Sequence, residues 1–186
     1  AAFAAGCEIA APTVSVSSQE RLALETRSVD LLLLAARSEI DDVACNALEA
    51  LAQVAPRDGL PEFRQAVTSP SPLVRYAGFA ALGEVRAPAA LALAEVGARD
   101  ANPHVQFAAA FCACRCGNDG YARLLTQALT AAPLENLRAD AATLLGRLKE
   151  PRAKKWLRAA LHTPANRKSK PVTLAIHGAL AALGET

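Results

Sequence analysis

The chain is poor in aromatic side chains and has no long apolar run. Phe, Tyr and Trp together supply eight of 186 residues, with Trp156 the single tryptophan. The most aliphatic stretch, Val29 to Ala36, contains Asp30. Crossing a bilayer takes about 20 apolar residues, so this stretch is far too short to span one. A glycine-rich phosphate loop is missing, and the serines cluster in turns without a glycine-flanked elbow. These absences remove the usual signatures of nucleotide binding and of serine hydrolysis. His104, His162 and His177 stand apart from one another in sequence. No catalytic constellation emerges, and neither a metal nor a cofactor is expected.

What the chain has instead is alanine and a period. Hydrophobic residues make up 52% of it, and Ala-rich segments with few β-branched runs favour helices that approach closely. Its length suits one domain with a sizeable core. Val43, Val74, Val105, Leu137 and Val172 each open a similar segment, the first four at intervals of 31 or 32 residues and the last after 35. Eight positions on come Leu51, Leu82, Ala113, Leu145 and Leu180, and eleven on come Val54, Val85, Cys116, Leu148 and Leu183. Between them, small residues recur four and nine positions on, such as Gly78, Ala109 and Ala141, then Gly83, Cys114 and Gly146. Such a period is the mark of an α-solenoid, in which each unit buries its apolar face against its neighbours. Pro72 and Pro103 restart the chain as first helical residues after Ser71 and Asn102.

The resulting expectation is all-α: an α-solenoid of about five antiparallel helix hairpins, in units of about 19–54, 59–85, 88–116, 119–147 and 150–184. Residues 19–186 form the repeat domain, preceded by a flexible tether within 1–18. The segments Val74-Arg75-Tyr76-Ala77, Ala81-Leu82-Gly83, Leu137-Arg138-Ala139, Leu144-Leu145-Gly146 and Glu150-Pro151-Arg152-Ala153 resemble HEAT repeats, of the short class first noted in phycobilin lyase subunits. The resemblance covers residues 20–184. It implies that the second helix of each pair lines a concave face. It also implies that Arg75 and Arg138, one position after the opening residue, serve a ladder that spaces the repeats, with Asp100 placed to join Arg75.

At about 100° per residue the openers and their partners fill one sector of each second helix, while positions two, six and ten on point the other way. Position ten holds Gln53, Glu84, Arg115 and Arg147, which reads as a solvent row turning from acidic to basic. Positions two and six hold Tyr76, Phe107 and Phe111. These rings either form an aromatic patch on the concave face, the kind of anchor a binding surface uses, or fill gaps between helices. Trp156 aligns with Leu93 and Leu124 in a first-helix core row. Cys112, Cys114 and Cys116 lie in one helix, where neighbours two apart diverge, so they read as small hydrophobes rather than metal ligands.

Charge is lopsided. Residues 1–100 carry 8 basic and 13 acidic side chains, residues 101–186 carry 12 and 5. All five lysines fall between Lys149 and Lys170. Lys149, Arg152, Lys154, Lys155, Arg158, Arg167, Lys168 and Lys170 form a candidate basic patch for phosphate-bearing partners or an anionic membrane surface, or else simply solvate outer faces. The segment lacks the interleaved aromatics of single-strand binding, which argues against nucleic acid.

Ala4-Ala5-Gly6-Cys7 resembles the end of a bacterial lipoprotein signal peptide, although Ala4 stands where Leu is usual. The resemblance implies cleavage before Cys7, lipidation of that cysteine and an extracytoplasmic protein attached to a membrane; the alternative is a cytoplasmic one. The functional expectation is a non-catalytic scaffold that binds a protein partner on its concave face. The alternative is a phycobilin-lyase-like subunit acting on a chromophore or its carrier protein.

Overall fold

A computed structural model describes residues 17–185, and Cys7 with its expected lipidation lies outside them. The first helix, α1, spans Ser18–Ala35, and α2 spans Asp41–Val54. The short α3, Leu60–Ala66, precedes α4, Pro72–Glu84. Next come α5, Leu91–Gly97, and α6, Pro103–Arg115, then α7, Ala122–Ala131, and α8, Glu135–Arg147. Last are α9, Pro151–Leu161, the one-turn α10, Pro164–Arg167, and α11, Lys170–Ala182. The protein is an all-α solenoid of five hairpins, with α2, α4, α6, α8 and α11 as the second helices.

Local chemistry explains where these second helices begin and end. Proline supplies the first or second residue of α4, α6 and α11, where its missing N–H removes no hydrogen bond. Asn102 caps α6 by accepting from the backbone N–H of His104 at 2.9 Å, and Ser169 accepts from Val172 at the start of α11. Twelve residues after each opener from the second unit on, the backbone turns left-handed: Arg86 at φ 51°, Gly117 at 105°, Lys149 at 54° and Gly184 at 77°. Here the chain closes Schellman-type bonds, with Ala87, Asn118 and Glu185 donating to the carbonyls of Leu82, Ala113 and Leu180.

Packing follows the period. Val74, Val105, Leu137 and Val172 are buried, as are Leu82, Ala113, Leu145 and Leu180. Gly146 lies so close to α11 that an added Cβ would stand 2.7 Å from the Ala179 Cα; the small residue at this position is what lets the two helices touch. Apolar side chains form two clusters, one from Ala44 to Ala113 and one from Phe107 to Leu180. The first is completed by α2 to α6 and the second by α6 to α11, so α6 belongs to both.

Two segments depart from the repeat pattern. The helix α1 contains no buried residue, and its Leu22 is 64% exposed. Only its C-terminal half, through Val29, Leu32 and Leu33, packs on the core. The segment 162–170, the longest connection before a second helix, contains the one-turn α10 and a fully buried side chain, Asn166. Its amide donates to the carbonyls of Leu129 at 3.0 Å and Ala160 at 3.1 Å, which pins the insertion to the outer helices.

Candidate functional site

The second helices leave a groove of about 740 Å³. Glu49 and Gln53 of α2 line one side, Leu73, Tyr76 and Ala77 of α4 the floor, and Thr143, Gly146 and Arg147 of α8 the other side, with Lys149 at its edge. A second cavity of about 490 Å³ shares Leu73 and Tyr76 with it and adds Asn102, His104 and Asp140. No residue of α6 lines the larger groove, and side chains of α4 and α8 bridge there although the two helices belong to units two apart.

Two polar clasps hold that closure. At one end the Tyr76 hydroxyl donates to Asp140 Oδ1 at 2.8 Å, while His104 Nδ1 lies 2.8 Å from Oδ2 of the same carboxylate. Thus one carboxylate joins three consecutive units. Burial, followed by the Asp140 charge, pushes the Tyr76 phenol well above its ordinary range, so it remains a donor. Asn136 Nδ2 stands 3.5 Å from the far ring nitrogen of His104. At the other end Arg147 Nε donates to Glu84 Oε1 at 2.9 Å, and Arg115 approaches Oε2 at 3.7 Å. Arg115 also donates to the Gly83 carbonyl, and the Arg147 guanidinium lies 5.3 Å from the centre of the Phe111 ring, within cation–π range.

This arrangement corrects the aromatic patch. Phe107 and Phe111 are 5% and 0% exposed. Both sit at concave positions, but α4 and α8 close over them, so the rings fill the interior between helices. Tyr76 alone of the three reaches the groove. The row at position ten is likewise no free solvent row, since Glu84, Arg115 and Arg147 are tied to each other. Burial lowers the affinity of Arg115 for its proton, and the neighbouring Arg86 adds to that. The sequence also hid the Tyr76–Asp140–His104 cluster: each residue looks solitary, and only their shared location at the start of concave helices would have hinted at a meeting.

The expected ladder is present. Arg75 holds Asp100 with two bonds, Nε to Oδ2 at 2.9 Å and Nη2 to Oδ1 at 3.0 Å, and donates from Nη1 to the carbonyls of Ser69 and Pro70. The hydrogen bond from Arg75 holds the Asp100 carboxyl below the usual carboxylate range. Arg138 repeats the pattern two units along, donating to the carbonyls of Ala132 and Pro133 and from Nε to Asn166 Oδ1 at 2.8 Å. Asn166 thus replaces the aspartate, which explains why a polar residue of the insertion is buried.

The basic residues divide. Lys149 belongs to the groove. Arg152 pairs with Asp119 at 2.9 Å and Glu150 at 2.8 Å, and Arg158 pairs with Glu185. Lys155, Arg167, Lys168 and Lys170 are exposed, and Lys154 is half-buried. Trp156, expected in the core row, is half-buried instead. It packs on the second cluster and lines a small cleft with Cys114, Asp119 and Arg152. Cys112 is buried, Cys114 has its thiol pushed up to about 12 chiefly by burial, and Cys45, Cys112 and Cys116 are also raised. All four are therefore protonated, weakly reactive thiols at neutral pH.

A family model described as HEAT repeats matches residues 29–96 and 92–175. Two solved structures are similar to this chain. Human deoxyhypusine hydroxylase in complex with glycerol is 12% identical, with 91% of this chain and 92% of that one covered at a TM-score of 0.45. The complex of CpcE and CpcF of phycocyanin lyase from Nostoc sp. PCC7120 is 18% identical, with 91% of each chain covered at a TM-score of 0.47. No curated protein matches in sequence.

Proposed function

The chain belongs to the HEAT-repeat family, and from that premise we propose that it is a non-catalytic scaffold that holds a segment of a partner protein in its concave groove. The observation that carries this reading is the shape and lining of the 740 Å³ groove. Its volume lies within the range, about 300–1,000 Å³, of pockets that take a small ligand or a few side chains, and is too small for a whole domain. Ala77 and Ala80 keep the α4 lining low, so a partner backbone can come close. Glu49 of α2 and Lys149 after α8 bring opposite charges to the groove, whereas Arg147 is already paired with Glu84. A groove with rims of opposite sign gives a bound chain a direction. Tyr76 supplies the one aromatic edge there, already fixed by Asp140, so no rotamer freedom is lost when a partner packs on it.

Placing a photo-crosslinking residue at Thr143, in the groove, and at Arg123, on an outer helix, tests this in cells. The Thr143 site should capture a discrete partner and the Arg123 site should not. Filling the groove by Ala77→Trp should weaken the purified partner's binding at least about tenfold, since loss of a central contact costs more than 1 kcal/mol, with the unfolding midpoint little changed. Equal capture from both sites would sink the reading. So would visible absorbance on mixing with a free bilin, which would favour the chromophore alternative.

A further inference from the structure

We propose that the outer face formed by α9 and α10 is a docking surface for an anionic phospholipid bilayer, separate from the concave groove. The buried side of α9 is Ala153, Leu157 and Ala160. Lys154, Lys155, Arg158 and His162 occupy the opposite side by helical geometry, and the last three are exposed. Beyond the helix, Arg167, Lys168 and Lys170 are exposed as well.

Acidic neighbours cancel only part of this charge. Glu150 is taken by Arg152 and Glu185 by Arg158, which leaves Glu135, the acceptor of the Ser169 hydroxyl at 2.6 Å, as one carboxylate against five cations. Among the described residues Lys154, Lys155, Arg167, Lys168 and Lys170 make no ion pair. Five unpaired cations fall within the range of about 4–8 that gives a surface measurable attraction to anionic lipid.

The insertion is also built to hold its cations in place. Asn166, with no exposed surface, bonds to Arg138, Leu129 and Ala160, so the residues that follow it are presented on a fixed turn rather than on a loose loop. A pinned array loses less conformational freedom on docking than a free chain would.

The chemistry of the face favours lipid over nucleic acid. Four of the five cations are lysines, compact point charges that suit a diffuse plane of phosphates, whereas base or individual phosphate recognition favours the planar fork of arginine. No Phe, Tyr or Trp ring stands among them for base stacking: Trp156 of the same helix is turned into the cleft with Cys114 and Asp119. The face is on an outer helix and does not line the groove.

The test is co-sedimentation of the full, unlipidated chain with vesicles of phosphatidylcholine, and with vesicles of an equal mixture of phosphatidylcholine and phosphatidylglycerol. Binding is expected to the mixed vesicles alone and to fall as salt is raised. Each lysine is worth about fivefold, so Lys155→Gln with Lys168→Gln and Lys170→Gln should weaken binding on the order of a hundredfold. Arg21→Gln with Arg27→Gln and Arg64→Gln removes the same charge from exposed positions at the other end, and should leave binding nearly unchanged. Circular dichroism checks that both variants fold. Equal binding to neutral vesicles, equal loss in the two triple variants, or tighter binding to duplex DNA at matched phosphate concentration would each overturn the proposal.

Discussion

At the scale of single residues, the left-handed turn after each concave helix shows how a repeat tolerates imperfect chemistry. Two units place glycine there, Gly117 and Gly184, while two place Arg86 and Lys149. A side chain with a Cβ in that region costs roughly 1 kcal/mol, because Cβ crowds the following carbonyl. Arg86→Gly should therefore stabilise the protein by about 0.5–1 kcal/mol, and Gly117→Ala should destabilise it by a similar amount, both read from urea unfolding midpoints. Arg86 makes no ion pair among the described residues, so nothing favourable is lost with its side chain. If Arg86→Gly lowered the midpoint, the left-handed cap would be wrongly placed. These turns were legible in part: glycine twelve positions after an opener is a visible signal, but the equivalent arginine and lysine carry none.

Among elements, α6 is the pivotal one. Its small side chains, Ala108, Ala109 and Ala113, join the first core cluster, whereas Phe107 and Phe111 join the second. Truncating Phe111 leaves a cavity in a fully enclosed site, so Phe111→Ala should cost about 3–5 kcal/mol. Tyr76→Phe keeps the ring and removes one hydroxyl bond to a charged partner, which should cost about 1.5–3 kcal/mol. Thermal unfolding of both variants checks this ordering. A Phe111 variant as stable as the parent would mean that the ring faces solvent, as a patch on the concave surface requires. The sequence left both options open for these rings, and for a physical reason: the helical wheel tells which way a side chain points, not what stands in front of it.

For the whole molecule, the clasps add something that stacked repeats ordinarily lack. In a simple array each unit touches only its neighbours, and stability is nearly a sum of unit and interface terms. Here Tyr76–Asp140 and Glu84–Arg147 join the second unit to the fourth. Such ties should make the two clusters melt together. Breaking both, by Glu84→Ala with Asp140→Ala, is expected to split one calorimetric transition into two, the halves being those on either side of α6. A single transition at lower temperature would show instead that the shared α6 couples the clusters without help.

What the sequence determined by itself is the chain's local order: which residues form helices, which of their faces are apolar, where proline and glycine stop and restart them, and that hairpins stack in register. All of this follows from interactions within a hairpin or between adjacent ones, and a period of 31 or 32 residues writes them out repeatedly. The tertiary structure alone decided the curvature. Each step along a solenoid adds a small rotation set by side-chain volumes at the interface, such as Gly146 against Ala179, and these rotations accumulate until long side chains of α4 and α8 reach each other. That closure buried Phe107 and Phe111, brought His104 to Asp140 and left the groove where it is; residues so far apart in the chain share no local pattern from which their meeting could be read.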